Sequence, residues 1–262
     1  MTETLALFLV LTGALVGFLS GLLGIGGGIV MFPILLYGPP LLGLTGIDVK
    51  SITGLTMIQG FFSALTAMFT YHKNALVNRS LVLTLGLSLF LSSLVGSLAS
   101  KRVPDDALLL VFGILALIAS LMMLIPRNYA HDDLTEDKVE FHTATAVVIG
   151  LGLGFSIGLV GQGGAFILIP TMLYILKIPL RVALGSTLAI GLFSSTAGFI
   201  GKAVTGQVPF LMALPLLLGA IPAARFGSIV GNRTKTRFLK WLLAAIIFVT
   251  AMKVWFDIFH IR

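Results

Sequence analysis

Gly21-Leu22-Leu23-Gly24-Ile25-Gly26-Gly27-Gly28-Ile29-Val30-Met31-Phe32-Pro33 returns in the second half of the chain as Gly158-Leu159-Val160-Gly161-Gln162-Gly163-Gly164-Ala165-Phe166-Ile167-Leu168-Ile169-Pro170. Gly21, Leu22, Gly24, Gly26, Gly27 and Pro33 are matched without a gap by Gly158, Leu159, Gly161, Gly163, Gly164 and Pro170, and Tyr37 by Tyr174. Each copy follows a long apolar run. Four glycines within seven residues stop a helix, because each costs roughly 1 kcal/mol relative to alanine in a helix interior. Each half of the chain is therefore expected to hold one broken membrane helix.

The surrounding composition fits only a membrane solvent. Of 262 residues, 57% are hydrophobic and 10% charged, and the mean hydropathy is +1.08. A spanning helix needs about 20 apolar residues, whereas a membrane barrel shows alternating segments of about 10. The continuous runs here match the helix. The chain has no cysteine, which excludes disulfides, thiol chemistry and cysteine-held metals. Its formal charge of +7 reads as basic loops on the cytoplasmic face; the lipid bilayer is the expected partner and nucleic acid is not. The longest polar stretch, 127–140, is too short for a soluble domain. The N-terminal segment lacks a basic leader and is read as a retained helix.

The chain resolves into two similar halves. Spans are expected near 5–23, 52–71, 80–99 and 107–125, and again near 143–160, 183–203, 208–230 and 238–259. Short runs at 29–37 and 166–176 follow the two breaks. Nine residues at 1.5 Å each cover about 14 Å, half a hydrocarbon core. Gly38-Pro39-Pro40 is expected to end the first short run. The fold expected is thus an all-α polytopic membrane protein of about eight spanning helices and two half-length pieces. It divides into a repeat at 1–126, an acidic linker at 127–141 and a second repeat at 142–262. At one register Lys50, Gly54 and Thr56 align with Arg181, Gly185 and Thr187, and Gly96-Ser97 with Gly227-Ser228. Such a duplication is the design of many secondary transporters. Loop charges do not decide between parallel and inverted halves, though either places Arg233, Lys235, Arg237 and Lys240 in the cytoplasm. Inverted halves suit alternating access.

A helix ending in G-x-x-G-x-G-G-G-x-x-x-x-P, its near-copy, a basic-x-x-x-G-x-T element after each and an acidic central loop together resemble the TauE/SafE family, also called toluene-sulfonate-uptake permeases. The resemblance covers residues 5–254. It implies a bacterial or archaeal inner-membrane carrier for a small sulfur-containing anion such as sulfite or an organosulfonate like sulfoacetate. It leaves the individual substrate and the direction open.

The residues agree with anion handling. A broken helix leaves backbone N–H groups unpaired at the start of its second half, with partial positive charge from the helix dipole. A small oxyanion can accept from them. Gly26, Gly27 and Gly28 offer one such set, and Gly163, Gly164 and Ala165 the other; if the breaks meet near the midplane, both can hold one anion. Packing of small residues is the competing explanation for glycine in a membrane helix, and the isolated Gly13 and Gly17 are read that way. Gln162 is the one polar side chain in either phrase, a ligand or a helix-to-helix hydrogen bond. Thr53, Thr56, Ser186 and Thr187 supply hydroxyls, and Arg225 a cation that can serve an anion or snorkel. Lys202 and His72, at the ends of spans, are read as solvated or headgroup-facing.

All ten acidic residues lie at termini or in loops, with Asp257 borderline, so no intramembrane carboxylate is expected for a proton relay, sodium site or metal. The four histidines are scattered and no nucleophile has a nearby base, which argues against an enzyme or a bound cofactor. A passive anion channel and a membrane scaffold remain as alternatives to a carrier, and a homodimer is compatible with the sequence.

Overall fold

The computed structural model describes residues 2–24, 26–71, 77–125, 141–161, 165–234 and 236–260. The described residues form ten α-helices and one short 3₁₀ turn. These are α1 (Glu3–Leu23), α2 (Gly28–Leu41), α3 (Val49–Tyr71), α4 (Arg79–Ala99), the 3₁₀ turn (Ser100–Arg102) and α5 (Asp105–Leu124). The second half holds α6 (Thr143–Val160), α7 (Ala165–Tyr174), α8 (Leu180–Val204), α9 (Phe210–Arg233) and α10 (Thr236–His260). Among the described residues, eight helices are long and apolar enough to cross a membrane; α2 is a shorter apolar helix. The acidic linker and His72 lie outside the described residues.

Both glycine phrases end the preceding helix in the same way. Gly24 at φ 69° and Gly161 at φ 77° end α1 and α6 in the left-handed conformation, and their N–H groups donate to Ser20 O and Ile157 O, each at 2.8 Å. That conformation is costly for any residue with a Cβ. After the first break the chain turns back on itself: Gly27 lies against Val16 and Gly38 against Phe8, so α2 runs antiparallel to α1. At 14 residues α2 is longer than the run that sequence suggested. The helix continues through Pro39 and Pro40, whose fixed φ fits a final turn and whose carbonyls still accept from Leu42, Gly43 and Leu44.

Close-packed pairs frame the bundle. Gly13, Gly17 and Gly21 of α1 lie on the backbone of Leu216, Ala220 and Ala224 in α9, and Gly219 and Gly227 of α9 lie on Val10 and Phe18. The same geometry joins α4 to α6, where Gly96 meets Phe155, Gly154 meets Leu89 and Gly158 meets Ser93. Small residues let backbones approach where the lipid supplies no hydrophobic drive for helices to associate. The first glycine of each phrase, Gly21 and Gly158, is therefore a packing residue and not part of the break.

α3 and α8 form the centre, with 67% and 61% of their spans buried against 33–56% for the other six. They run antiparallel: Thr53 faces Lys202, Met57 lies on Gly198, and Gly60 approaches Ser195. α5 and α10 close one side, with Trp255 Nε1 donating to Gly113 O at 3.0 Å. Replacing Gly17 by leucine should lower the melting temperature of the detergent-purified protein, by the roughly 1–3 kcal/mol that overpacking costs. Gly152 has open space around its Cβ position and is exposed, so Gly152→Leu should melt like the parent.

Candidate functional site

The two breaks pack on the central helices of the opposite half. Gly24 sits against Leu184 and Leu188 of α8, and Gly161 sits against Thr53 of α3. They lie at different depths, because the first break is level with Gly60 and Ala64 on α3 and the second with Thr53 and Thr56. Eight residues of helix separate Thr56 from Ala64, about 12 Å. The described parts of the two phrases therefore do not meet at one point.

Around the first break is a small cavity lined by Gly24 and Gly26, by Gly60 and Ala64 of α3, and by Thr187, Leu188, Gly191 and Ser195 of α8. It leaves about 10 Å³ for the centre of a water molecule, room for roughly one water. Gly26 adopts φ 67° there. The Thr187 hydroxyl donates to Ala183 O and the Ser195 hydroxyl to Gly191 O, within their own helix. Close by, Gln59 is fully buried; its Nε2 donates to Ser63 Oγ at 2.9 Å, while its Oε1 has no partner among the described residues.

At the second break the chain places a cation. Lys202 has no exposed surface, and its Nζ donates to Ser100 Oγ (2.7 Å), Thr53 Oγ1 (2.8 Å), Leu159 O (3.0 Å) and Gln207 Oε1 (3.1 Å). The hydroxyl hydrogens of Thr53 and Ser100 go to Lys50 O and Ser97 O, so both oxygens turn lone pairs toward the ammonium. Gly54 lies on the backbone of Gln207, which brings the α8–α9 connection against α3. The Thr56 hydroxyl donates to Gly161 O and Thr53 O.

The expected site residues thus divide. Gly26 and Thr187 line the cavity; Gly27 caps α2 at φ 72° and Gly28 is its first, buried residue. Thr53 and Thr56 serve the second break. Ser186 is buried near the start of α4 and accepts from Asn78 N at 3.3 Å. The structure does not bring Arg225 to either group: Ala224, Gly227 and Ser228 turn the buried face of α9 toward α1, leaving Arg225 exposed on the other. Gln162, Gly163 and Gly164 lie outside the described residues, and nothing is described of the Ala165 side chain. The reading of Lys202 as headgroup-facing is corrected. Its available signal was register, since Thr187, Gly191, Ser195 and Lys202 share one face of α8.

The family model for the sulfite exporter TauE/SafE matches residues 9–254. The chain belongs to the TauE/SafE family. The chain is similar to a probable membrane transporter protein, YunE, of Bacillus subtilis (strain 168), 24% identical over 95% of this chain and 97% of that one. Another, MJ0441 of Methanocaldococcus jannaschii, is 26% identical over 93% of each. A probable membrane transporter protein of Xylella fastidiosa (strain 9a5c) is 30% identical over 85% of this chain and 83% of its own. No solved structure matches. This TauE/SafE chain is a multi-pass membrane transporter.

Thr56→Val keeps the shape at the second break but leaves a buried carbonyl without its donor. A loss of about 1–3 kcal/mol is expected, measured as a lower melting temperature in detergent. Thr66, whose hydroxyl donates to Phe62 O in its own helix, should tolerate the same change.

Proposed function

We propose that the protein is a secondary transporter that exports a small sulfur-containing anion, sulfite or an organosulfonate such as sulfoacetate, by alternating access. The observation that carries this reading is the cavity at the first break. It lies between the central helices of the two halves and is walled by the backbone of Gly24 and Gly26 with the hydroxyl-bearing Thr187 and Ser195. Gly26 leads into the N-terminal end of α2, where backbone amides together with hydroxyls suit a small oxyanion, and the family's description as a sulfite exporter supports sulfur chemistry. With room for about one water, the cavity would have to widen to admit an anion, which fits a carrier better than an open channel.

The chain's direction also supports duplicated, inverted halves. Laying α1–α5 over α6–α10 makes α3 and α8 counterparts, and these run antiparallel; the α1–α9 and α4–α6 pairings become equivalents. This is the arrangement on which rocking of one half against the other rests. The basic run from Arg233 to Lys240 puts the α9–α10 connection in the cytoplasm, and both chain ends on the outside. A cysteine introduced at Thr2 should then react with an impermeant thiol reagent applied to intact cells. The membrane potential would favour anion export by about 2.3 kcal/mol per charge per 100 mV.

In reconstituted liposomes, radiolabelled sulfite or sulfoacetate should cross with saturation, faster when the potential repels the anion from its own side. Gly26→Val, strained at a left-handed position, should abolish the flux while the protein stays folded in the membrane. Unaltered flux in this variant would remove the first break from the site. Failure of the parent to move any sulfur anion would overturn the transport reading.

A further inference from the structure

Four oxygens surround the Lys202 ammonium, and all are neutral. Burying an ion costs several kcal/mol even after the protein relaxes, and lysine is almost never fully buried without a charged partner. Among the described residues no acid stands at this depth. Between residues 49 and 104, and again from 141 to 256, there is no Asp or Glu. The acids flanking this end of the bundle are engaged at the surface: Asp48 accepts from Ser51 N at 2.9 Å, and Asp105 lies 4.0 Å from Lys50. The carbonyl end of α6, which Leu159 O represents, supplies at most roughly half a negative charge.

Several further features point the same way. The ammonium is held jointly by α3, the 3₁₀ turn, the end of α6 and the α8–α9 connection, so residues of both halves converge on it. It continues the α8 face that carries Thr187, Gly191 and Ser195 past the cavity, seven residues beyond Ser195 or about 10 Å. Between the two on that face the Met57 thioether lies on Gly198. At the surface Lys50 sits one turn from Thr53 and reaches Lys101 O at 3.1 Å, with Lys101 and Arg102 exposed beside it. The buried cation with its hydroxyl neighbours thus lies one turn below a surface where Lys50, Lys101 and Arg102 stand beside Asp48 and Asp105.

We infer that Lys202 is a binding residue for the transported anion, a charged subsite in which a small oxyanion replaces one or more of the neutral oxygens of Thr53, Ser100 and Gln207. The inference rests on the transport reading above and assigns the residue that selects for negative charge. The competing role is purely structural, with Lys202 capping the carbonyl end of α6. Isolated intramembrane cations commonly mark ion paths, and a single substitution separates the two roles.

Gln207→Glu is nearly isosteric and puts a fixed carboxylate where Oε1 now stands, 3.1 Å from Nζ. A structural lysine gains a partner by this change, and transport should then match the parent. A lysine that serves the substrate is neutralised, and sulfite flux in liposomes should fall about thirtyfold or more, as when one member of a buried charge pair is removed, with the melting temperature held or raised. Lys202→Gln provides the second variant, its sulfite binding measured by calorimetry on monodisperse protein; loss of the heat signal given by the parent is expected. Parent-like flux in Gln207→Glu, or parent-like sulfite binding in Lys202→Gln, overturns this inference alone. A parent that neither binds nor moves any sulfur anion overturns the transport reading and this inference with it.

Discussion

Inside a bilayer every backbone polar group must find a partner within the protein, and the two glycine breaks are where this chain meets that demand without helix geometry to satisfy it. Each break ends α1 or α6 with carbonyls facing away from their own helix, and each is pressed against a central helix of the other half. At the second break the demand is met by side chains. The Thr56 hydroxyl reaches Gly161 O, and the Lys202 ammonium reaches Leu159 O. A break therefore fixes the placement of α3 and α8 as firmly as their own apolar faces do.

The glycines outside the breaks serve that same placement. Because Gly17 and Gly21 let α1 lie directly on α9, and Gly154 and Gly158 let α6 lie on α4, the ends of α1 and α6 arrive at defined depths beside the central pair. A side chain at any of these four positions would push a break outward by the width of a methyl group or more. The small-residue stripes thus position the irregular backbone, and the irregular backbone in turn shapes the cavity.

Much of this was legible in the sequence, and the reasons differ by feature. Hydropathy revealed the eight spans because a bilayer imposes one length on all of them, and the glycine clusters revealed the breaks because helices tolerate so few. The length of α2 is not legible at Gly38-Pro39-Pro40, since proline signals a stop locally while a final turn can absorb it. Arg225 drew attention as a cation within an apolar run, yet only the packing of Ala224 and Gly227 on α1 shows that it faces outward. Lys202 is the converse case. Near a helix end a lysine ordinarily reaches headgroups, and here Ser100 and Gln207, remote in sequence, enclose it.

The division of the α3–α8 interface into two polar regions has its own consequence. The cavity at the first break and the ammonium at the second lie on one face of α8, and between them the Met57 side chain lies on Gly198. A thioether is flexible and polarizable, able to change rotamer without a large cost in packing, whereas a β-branched residue at the same place would be stiff at χ1. Sliding or rocking α3 on α8 would alter this contact before it altered the glycine-packed pairs, whose backbones are already in touch. A flexible side chain thus separates the two polar regions of the central interface, as the alternating access proposed above asks of a movable barrier.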